Sequence, residues 1–121
     1  MLKKQFRLKK QSAFNATYRI KHSYHSCGIV LWVGKKKPDE KIPTKVGFVV
    51  SKKTHKRAVR RNRLKRLMRE SYRLLLKDGE TFNSQKYLSL IFVGFDKALD
   101  KNFKEIQEII RNLIKKVKRE A

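Results

Sequence analysis

The feature that most constrains the fold is a strongly basic segment that also has the periodicity of a helix. Residues 57–76 read RAVRRNRLKRLMRESYRLLL, and from Arg57 to Arg73 they hold eight Arg or Lys residues against one acid, Glu70. At about 100° per residue, the apolar side chains share one arc, and four of the eight cations lie on the opposite arc. The apolar arc comprises Leu64, Leu67, Met68, Ser71, Leu74 and Leu75, and the outer arc comprises Asn62, Lys65, Arg66, Arg69 and Arg73. The segment is therefore predicted to be a helix that lays one face on a sheet and presents cations on the other.

The outer arc of this helix indicates a polyanionic partner. A solvated helix face usually alternates its charges to gain i,i+4 pairs, and this face has almost no acids. The whole chain has 121 residues with 33 Lys and Arg against 10 Asp and Glu, a formal net charge of +23. Arg outnumbers Lys in the segment, which favours bidentate recognition of phosphates, and the apolar arc is committed to the core. Nucleic acid is thus the first candidate partner, and an anionic membrane surface is a poor second.

The remaining pattern predicts one α+β sandwich that forms a single RNA-binding domain over residues 1–121. Residues 11–20 are predicted to form a short helix with Ser12 as a possible cap, and residues 27–33 and 44–53 are predicted strands. Residues 34–43 are expected to be an exposed hairpin loop. The basic helix should end near Gly79, and residues 86–95 have the apolar composition of a strand covered on both faces. The last segment has a stripe of apolar residues that predicts a helix capped by Asp100 or Asn102.

Several classes of protein and site are disfavoured by the sequence. No apolar run approaches the roughly 20 residues that span a bilayer, and the basic N-terminus lacks the apolar region of a signal peptide, so a soluble cytoplasmic protein is expected. Cys27 is the only cysteine. His22, His25 and Cys27 are crowded into HSYHSC with no distant ligand to complete a tetrahedron, so a loop leading into a strand is favoured over a metal site. No paired carboxylates, catalytic histidine pair or Gly-rich phosphate loop occurs, so no catalytic side chain is predicted.

Three aromatic residues suggest a second surface. Phe14 and Tyr18 are one helical turn apart, and Trp32 shares a strand face with Val30. Small residues on the neighbouring strand, including Gly47, would leave a groove beside these rings if they lie on the same face. Such rings can stack unpaired bases, although aromatic side chains are more often simply part of a core, and the residues alone favour the core.

The stretch VGFVVSKKTHKRAVRRNRLKRLMRES resembles the signature of the bacterial ribonuclease P protein component. The match combines a strand ending in Ser-Lys-Lys with a helix that carries Arg-Asn-Arg and then Lys-Arg-x-x-Arg-Glu. RLKKQSAF near the start and VLW in the first strand support it, and the resemblance covers nearly the whole chain. It is weakest in the loop at residues 35–43 and at the C-terminus.

The resemblance implies a function and a fold. Proteins of that family assist a catalytic RNA that hydrolyses precursor tRNA and releases the 5′ leader, so an endonuclease subunit with a catalytic RNA and precursor tRNA as partners is expected. Mg²⁺ would be required by the RNA, and no obligate protein partner is expected. The family fold is similar to the second domain of a small-subunit ribosomal protein, in the order α-β-β-(β)-α-β-α with a left-handed βαβ crossover.

The resemblance also implies which residues contact each partner. The positions that match the family's contacts to catalytic RNA are Lys52, Lys53, Arg61, Asn62, Arg63, Lys65, Arg66 and Arg69. The positions that match its cleft for the single-stranded leader are Phe14, Tyr18, Val30 and Trp32, which favours a groove over the core. The family often has a basic residue just after the last strand, where this chain has Phe95 and Asp96, so no RNA contact is predicted there.

Two other functions stay open from the residues. The chain could be a ribosomal or general structured-RNA-binding protein without a role in cleavage. A helix-turn-helix DNA-binding module is disfavoured, because the basic helix is predicted to be flanked by strands.

Overall fold

The computed structural model describes residues 2–117 and contains one sheet with helices on both faces. The helices are α1 (Gln11–Arg19), α2 (Ala58–Lys77) and α3 (Phe103–Lys116), and the strands are β1 (His22–Ser26), β2 (Ile29–Val33), β3 (Lys45–Val50) and β4 (Ser89–Gly94). Short 3-10 turns occupy Lys4–Phe6, Phe82–Lys86 and Asp96–Ala98. The predicted α+β class and the order of the main helices and strands are confirmed.

The sheet has the strand order β1-β2-β4-β3 and is mixed. β4 pairs antiparallel with β2 and parallel with β3, so α2 is the crossover that joins the parallel pair. The left hand expected for this crossover stays a prediction. Because α2 is flanked by β3 and β4, its surroundings are not those of a helix-turn-helix module.

Two sequence predictions about connections are wrong. Residues 22–26 form strand β1, which pairs along its whole length with β2, rather than a loop leading into a strand. The hairpin turns at Cys27 and Gly28, with φ of 44° and 89°, in the left-handed region that glycine adopts readily. Residues 34–43 do not close a hairpin, because β4 lies between β2 and β3 in the sheet.

The core lies between the sheet and the pair α2 and α3. Val46 and Val50 of β3 point into it, and Gly47 lies on the opposite face, as the alternation predicted. From α2 the fully buried side chains include Leu64, Met68, Ser71, Tyr72 and Leu75, whereas Leu67 and Leu74 are only half-buried.

Tyr72 was not in the predicted apolar arc, yet it is fully buried and packs its ring against Phe92 and Phe48. Its hydroxyl accepts a hydrogen bond of 2.8 Å from Gln85, which satisfies the polar group, and burial raises the pKa of Tyr72 to about 12. The phenol is therefore neutral at physiological pH, and it fills the core as a large apolar ring with one satisfied polar atom.

Of the three predictions made about helix ends, two are confirmed and one is wrong. Asn102 and Glu105 form a reciprocal capping box at the start of α3, so Asn102 rather than Asp100 is the cap. Gly79 follows the end of α2 with φ of 73°. Ser12 lies inside α1, whose N-terminal flanking residue is Lys10 without a side-chain cap. Residues 118–121 of the predicted C-terminal helix lie outside the described residues.

Candidate nucleic-acid interface

The outer face of α2 carries the cations predicted to contact RNA. We call the set comprising Lys52, Lys53, Arg61, Asn62, Arg63, Lys65, Arg66 and Arg69 the basic surface. Asn62 and Arg66 are exposed, and Lys65 and Arg69 are half-buried. Within residues 2–117, none of Lys65, Arg66 and Arg69 forms an ion pair. These three side chains, the free cations, therefore keep their full charge available to an external anion.

Arg69 is the best positioned of the free cations. Its guanidinium carbon lies 5.9 Å from the centre of the Phe48 ring, which is itself stacked on Phe92 at 5.7 Å. This contact holds the guanidinium group beside the sheet, and within residues 2–117 its N–H groups have no ionic partner. A planar donor fixed in this way suits bidentate contact with a phosphate.

Arg61 and Arg63 are engaged with the chain's own backbone. Arg61 Nη1 donates to the carbonyl oxygens of His55 and Lys56, both at 2.8 Å. Arg63 donates to the carbonyl oxygens of Leu99 at 2.9 Å and Lys101 at 3.0 Å. These two arginines thus fasten the segments that precede α2 and α3, a role that the Arg-Asn-Arg spacing did not reveal.

Acids neutralise two other arginines of α2. Arg60 forms an ion pair with Asp100. Arg73 donates to Glu70 with a shortest distance of 2.5 Å, and this hydrogen bond lowers the pKa of Glu70 and raises the pKa of Arg73. Arg73 was predicted on the outer arc, but its charge is compensated within the helix. The uncompensated charge is therefore concentrated in the middle of α2.

Lys52 and Lys53 lie in the turn that connects β3 to α2. Both side chains are exposed, and the turn is held by a hydrogen bond of 3.0 Å from the Thr54 N–H to the Ser51 carbonyl oxygen. Since β3 lies under α1 on one face and under α2 on the other, this turn stands at the boundary between the two faces of the sheet.

The opposite face of the sheet is partly covered by α1, which positions the aromatic residues. The Thr17 and Ser89 hydroxyl oxygens are 2.6 Å apart, a hydrogen bond that ties α1 to the central strand β4. The Phe14 ring lies directly on Gly47, since a Cβ at that position would be 2.6 Å from the ring. Only a glycine permits this close approach of ring and backbone.

Tyr18 and Trp32 form an edge-to-face pair at the other end of α1. Their ring centres are 5.3 Å apart at an angle of 85°, and burial raises the pKa of Tyr18. Phe14, Tyr18 and Trp32 are all half-buried, and none belongs to the core cluster on the other face. Each ring thus has a face or edge in reach of solvent.

Beside these rings, the sheet presents a shallow apolar floor. Val93 of β4 is paired in register with Val30 of β2 and with Val49 of β3, so the three side chains form one row across the sheet. Val30 is only 7% exposed, while Val49 and Val93 are half-buried. We call Phe14, Tyr18, Trp32 and this row of valines the aromatic groove. Val49 and Val93 were not predicted as site residues, although strand alternation places them beside Gly47 and Val30.

The histidine and cysteine cluster is not arranged as a metal site. His22 and His25 are three positions apart along β1, so their side chains leave opposite faces of the strand. His22 Nε2 is hydrogen-bonded to the Tyr24 hydroxyl at 2.7 Å. Over residues 2–117, no group of three or more His, Cys, Asp or Glu side chains could hold a metal ion.

In the part of the chain that the structure describes, no helix combines the length and the apolar character needed to cross a bilayer.

Known proteins resemble this chain over nearly its whole length. Residues 2–118 match the family model for Ribonuclease P. The Ribonuclease P protein component of Clostridium novyi (strain NT) is 38% identical over 116 residues, which cover 95% of this chain and 96% of the relative. The solved RNase P protein of Staphylococcus aureus is 26% identical with a TM-score of 0.72, covering 93% of this chain and 94% of that one. The RNase P protein of Thermotoga maritima is 25% identical with a TM-score of 0.75, covering 93% and 98%.

Proposed function

The chain belongs to the ribonuclease P protein family, and on that premise we propose that it pairs with a catalytic RNA to remove the 5′ leader of precursor tRNA in the cytoplasm. As a protein component of RNase P, it is a subunit of a ribonuclease and has an RNA partner. In the proposal, the basic surface binds the catalytic RNA and the aromatic groove binds the unpaired leader.

The observation that carries this proposal is the separation of the two surfaces on opposite faces of one sheet. The free cations project from α2, which covers one face, and the aromatic groove lies beside α1 on the other. Cations without ion pairs suit the phosphates of a structured RNA, which fix position without reading sequence. Half-exposed rings over an apolar floor suit unpaired bases, because every base has a face that can stack. A protein that binds both a folded catalytic RNA and a single-stranded leader needs both kinds of surface.

The proposal places the chemistry on the RNA. Phosphodiester hydrolysis at a metal site needs a cation that activates a water and stabilises the leaving oxygen. The described residues offer no group of acids, histidines or cysteines that could hold a metal ion, so we infer that Mg²⁺ would be bound by the RNA component. The protein would contribute affinity and orientation.

Reconstitution tests the proposed function. Purified protein and a ribonuclease P catalytic RNA are combined with precursor tRNA at low Mg²⁺, and release of the leader is followed on a gel. The proposal expects efficient cleavage only when both components are present. A general RNA-binding protein without a role in cleavage would bind the RNA and leave the rate of the RNA alone unchanged, which would reject the proposal.

The isolated protein supplies the second arm of this test. Protein freed of RNA by nuclease treatment and purification in high salt should not cleave precursor tRNA, because no catalytic side chains are predicted. Cleavage by that preparation at a rate near that of the assembled enzyme would show that the chemistry lies on the protein.

A further inference from the structure

Phe95 is an exposed aromatic side chain immediately after the central strand. Its side chain is 42% exposed, in a chain whose other phenylalanines on the sheet are covered by helices or by one another. The residue is not loosely held: its backbone is extended, and its N–H donates to the Gly28 carbonyl oxygen at 2.8 Å. A single exposed apolar side chain is common on a protein surface, so what this ring can bind depends on the direction in which it points and on what surrounds it.

The direction of the Phe95 side chain follows from its neighbour. A Cβ built on Gly94 would lie 2.6 Å from Leu64 of α2, so position 94 faces the core side of the sheet. Successive residues of an extended segment point to opposite faces, so Val93 and Phe95 both face the aromatic groove. Phe95 therefore extends the groove by one more position beyond Val93. At about 3.3 Å per residue, it stands roughly 13 Å along β4 from Ile91, which pairs with Trp32.

The surroundings of the ring are mixed in charge. Phe95 lines a cavity of about 360 Å³ together with Ser51, Lys53, Thr54 and Asp96. Lys53 offers a cation for one phosphate, whereas the Asp96 carboxylate would repel a second one. One cation beside one acid is a poor site for binding through phosphates alone. The same surroundings suit a nucleotide whose base stacks on the ring.

We propose that Phe95 is a stacking platform for one further unpaired nucleotide of the leader, and that Lys53, although it belongs to the basic surface, contacts the phosphate of that nucleotide rather than the catalytic RNA. This inference rests on the proposed function, because it assumes that the leader runs along the aromatic groove. It revises the sequence prediction that no RNA contact occurs at this position. The chain has a phenylalanine at a position where the family often has a basic residue. Only the fold indicates that the ring of this phenylalanine continues the groove.

The test uses the assembled enzyme and a series of precursor tRNAs whose leaders grow by one nucleotide at a time. The dissociation constant is measured for the wild type, Phe95→Ala and Trp32→Ala at fixed salt. If one base stacks on Phe95, the Ala variant should bind long-leader precursors roughly 5- to 150-fold more weakly. Mature tRNA and precursors with the shortest leaders should bind to Phe95→Ala as tightly as to the wild type. The leader length at which affinity begins to be lost should differ between Phe95→Ala and Trp32→Ala, because the two rings lie at different points along the groove.

Three control variants separate stacking from folding. Phe95→Tyr keeps an aromatic face and should retain affinity, whereas Phe95→Leu keeps apolar bulk without one and should lose it. Ile42→Ala truncates an apolar side chain of similar exposure, 37%, in the loop of residues 34–43 and should change nothing. Thermal unfolding of each variant is recorded, and an equal affinity of Phe95→Tyr and Phe95→Leu would overturn the stacking role whatever their stabilities.

The remaining outcomes distinguish this inference from the proposed function. If Trp32→Ala loses leader-dependent affinity while Phe95→Ala binds every leader normally, the groove stands and the platform at Phe95 is rejected. Equal losses of Phe95→Ala for mature and precursor tRNA would also reject it, because the ring would then act outside the leader path. If neither variant shows leader dependence, both the platform and the leader groove are rejected.

Discussion

Within residues 2–117, the three free cations, Lys65, Arg66 and Arg69, project from one helix and form no ion pair. The three aromatic rings, by contrast, are each positioned by contacts between different elements: Phe14, Tyr18 and Trp32. The cations need only the periodicity of α2 to share a face. The rings need α1 to cross the sheet, Gly47 to admit Phe14, and β2 to bring Trp32 to Tyr18. The first surface is thus a property of one segment, and the second is a property of the assembled fold.

The basic surface itself divides into two parts. The free cations form no ion pair within residues 2–117, while Arg61 and Arg63 donate to four backbone carbonyl groups between them. Substitution should therefore separate charge available for RNA from charge already used to hold the fold. Four substitution experiments follow, in order of the size of the effect expected.

The largest effect is expected from removing the free cations together. A Lys65, Arg66 and Arg69 triple alanine variant should bind catalytic RNA far more weakly, because three phosphate contacts are lost. The slope of log affinity against log salt should become shallower by about 2 to 3 units, at ~0.7 to 0.9 for each contact. A filter-binding titration at several salt concentrations measures the affinity for catalytic RNA and this slope.

A charge-matched control decides whether position matters in that experiment. Lys35, Lys41 and Lys104 are exposed cations outside α2, and their triple alanine variant lowers the net charge equally. This control variant should keep most of the wild-type slope of log affinity against log salt. Equal flattening by both variants would mean that the surface acts through total charge alone and that the face of α2 has no special role.

Arg63→Ala should chiefly affect folding. Its guanidinium makes charge-assisted hydrogen bonds to the carbonyl oxygens of Leu99 and Lys101, and their loss should lower the free energy of unfolding by about 1 to 3 kcal/mol. Arg66→Ala, on the exposed face, should change it by less than about 0.5 kcal/mol. Urea denaturation of both variants provides the comparison, and equal stabilities would remove the distinction drawn within the basic surface.

Gly47→Ala tests the aromatic groove without changing any ring or charge. The added Cβ would come within 2.6 Å of the Phe14 ring, so the ring must move. Affinity for precursor tRNA should fall by about 1 kcal/mol, the lower end of the value for one stacked base, while mature tRNA binds normally. Unchanged binding of the precursor would show that the position of Phe14 over Gly47 does not matter to the leader.

The smallest effect is expected from Glu70→Gln, which releases Arg73. The salt slope for RNA should steepen by at most one contact, ~0.7 to 0.9. The variant also loses a half-exposed ion pair, whose contribution to stability is small because solvent screens it. Because the pKa of Glu70 is lowered in the folded protein, this stabilisation is present above pH ~4.5 and is lost as the pH falls through the folded pKa.

The pH dependence of the Glu70 variant is checked by measuring unfolding free energies of the wild type and of Glu70→Gln from pH 7 downward. The two curves should converge at acid pH, where the wild-type carboxyl is protonated. A constant gap across the range would assign the difference to something other than the ionised pair.

The sequence predicted the arc of α2, the strand β3 and a cap of α3 at Asp100 or Asn102, because each depends on the spacing of residues within one segment. It failed at β1, since HSYHS has little apolar character and becomes a strand only by pairing with β2. Tyr72 was missed because its burial depends on Phe92 and Gln85, which are distant in sequence.

The candidate site shows the same limit. Helical spacing alone placed Lys65, Arg66 and Arg69 on the outer arc, but it placed Arg73 there as well, whose charge Glu70 compensates. The internal hydrogen bonds of Arg61 and Arg63 could not be identified from spacing, because their acceptors are carbonyl groups whose position depends on how the chain folds around α2. The row formed by Val30, Val93 and Val49 likewise required the strand order, in which β4 separates β2 from β3.

The most direct test of separate roles for the two surfaces is the ratio of affinities for leader-bearing and leaderless tRNA. It is measured with enzymes assembled from wild-type protein, Trp32→Ala and Arg66→Ala, at protein concentrations that saturate the catalytic RNA. Trp32→Ala should weaken binding of precursor tRNA by roughly 1 to 3 kcal/mol and leave the affinity for mature tRNA unchanged. The ratio of the two affinities should therefore fall. Arg66→Ala should weaken assembly with the RNA and leave the ratio of the assembled enzyme intact. A ratio that is unchanged by Trp32→Ala, or reduced equally by both variants, would contradict the separation of the two surfaces.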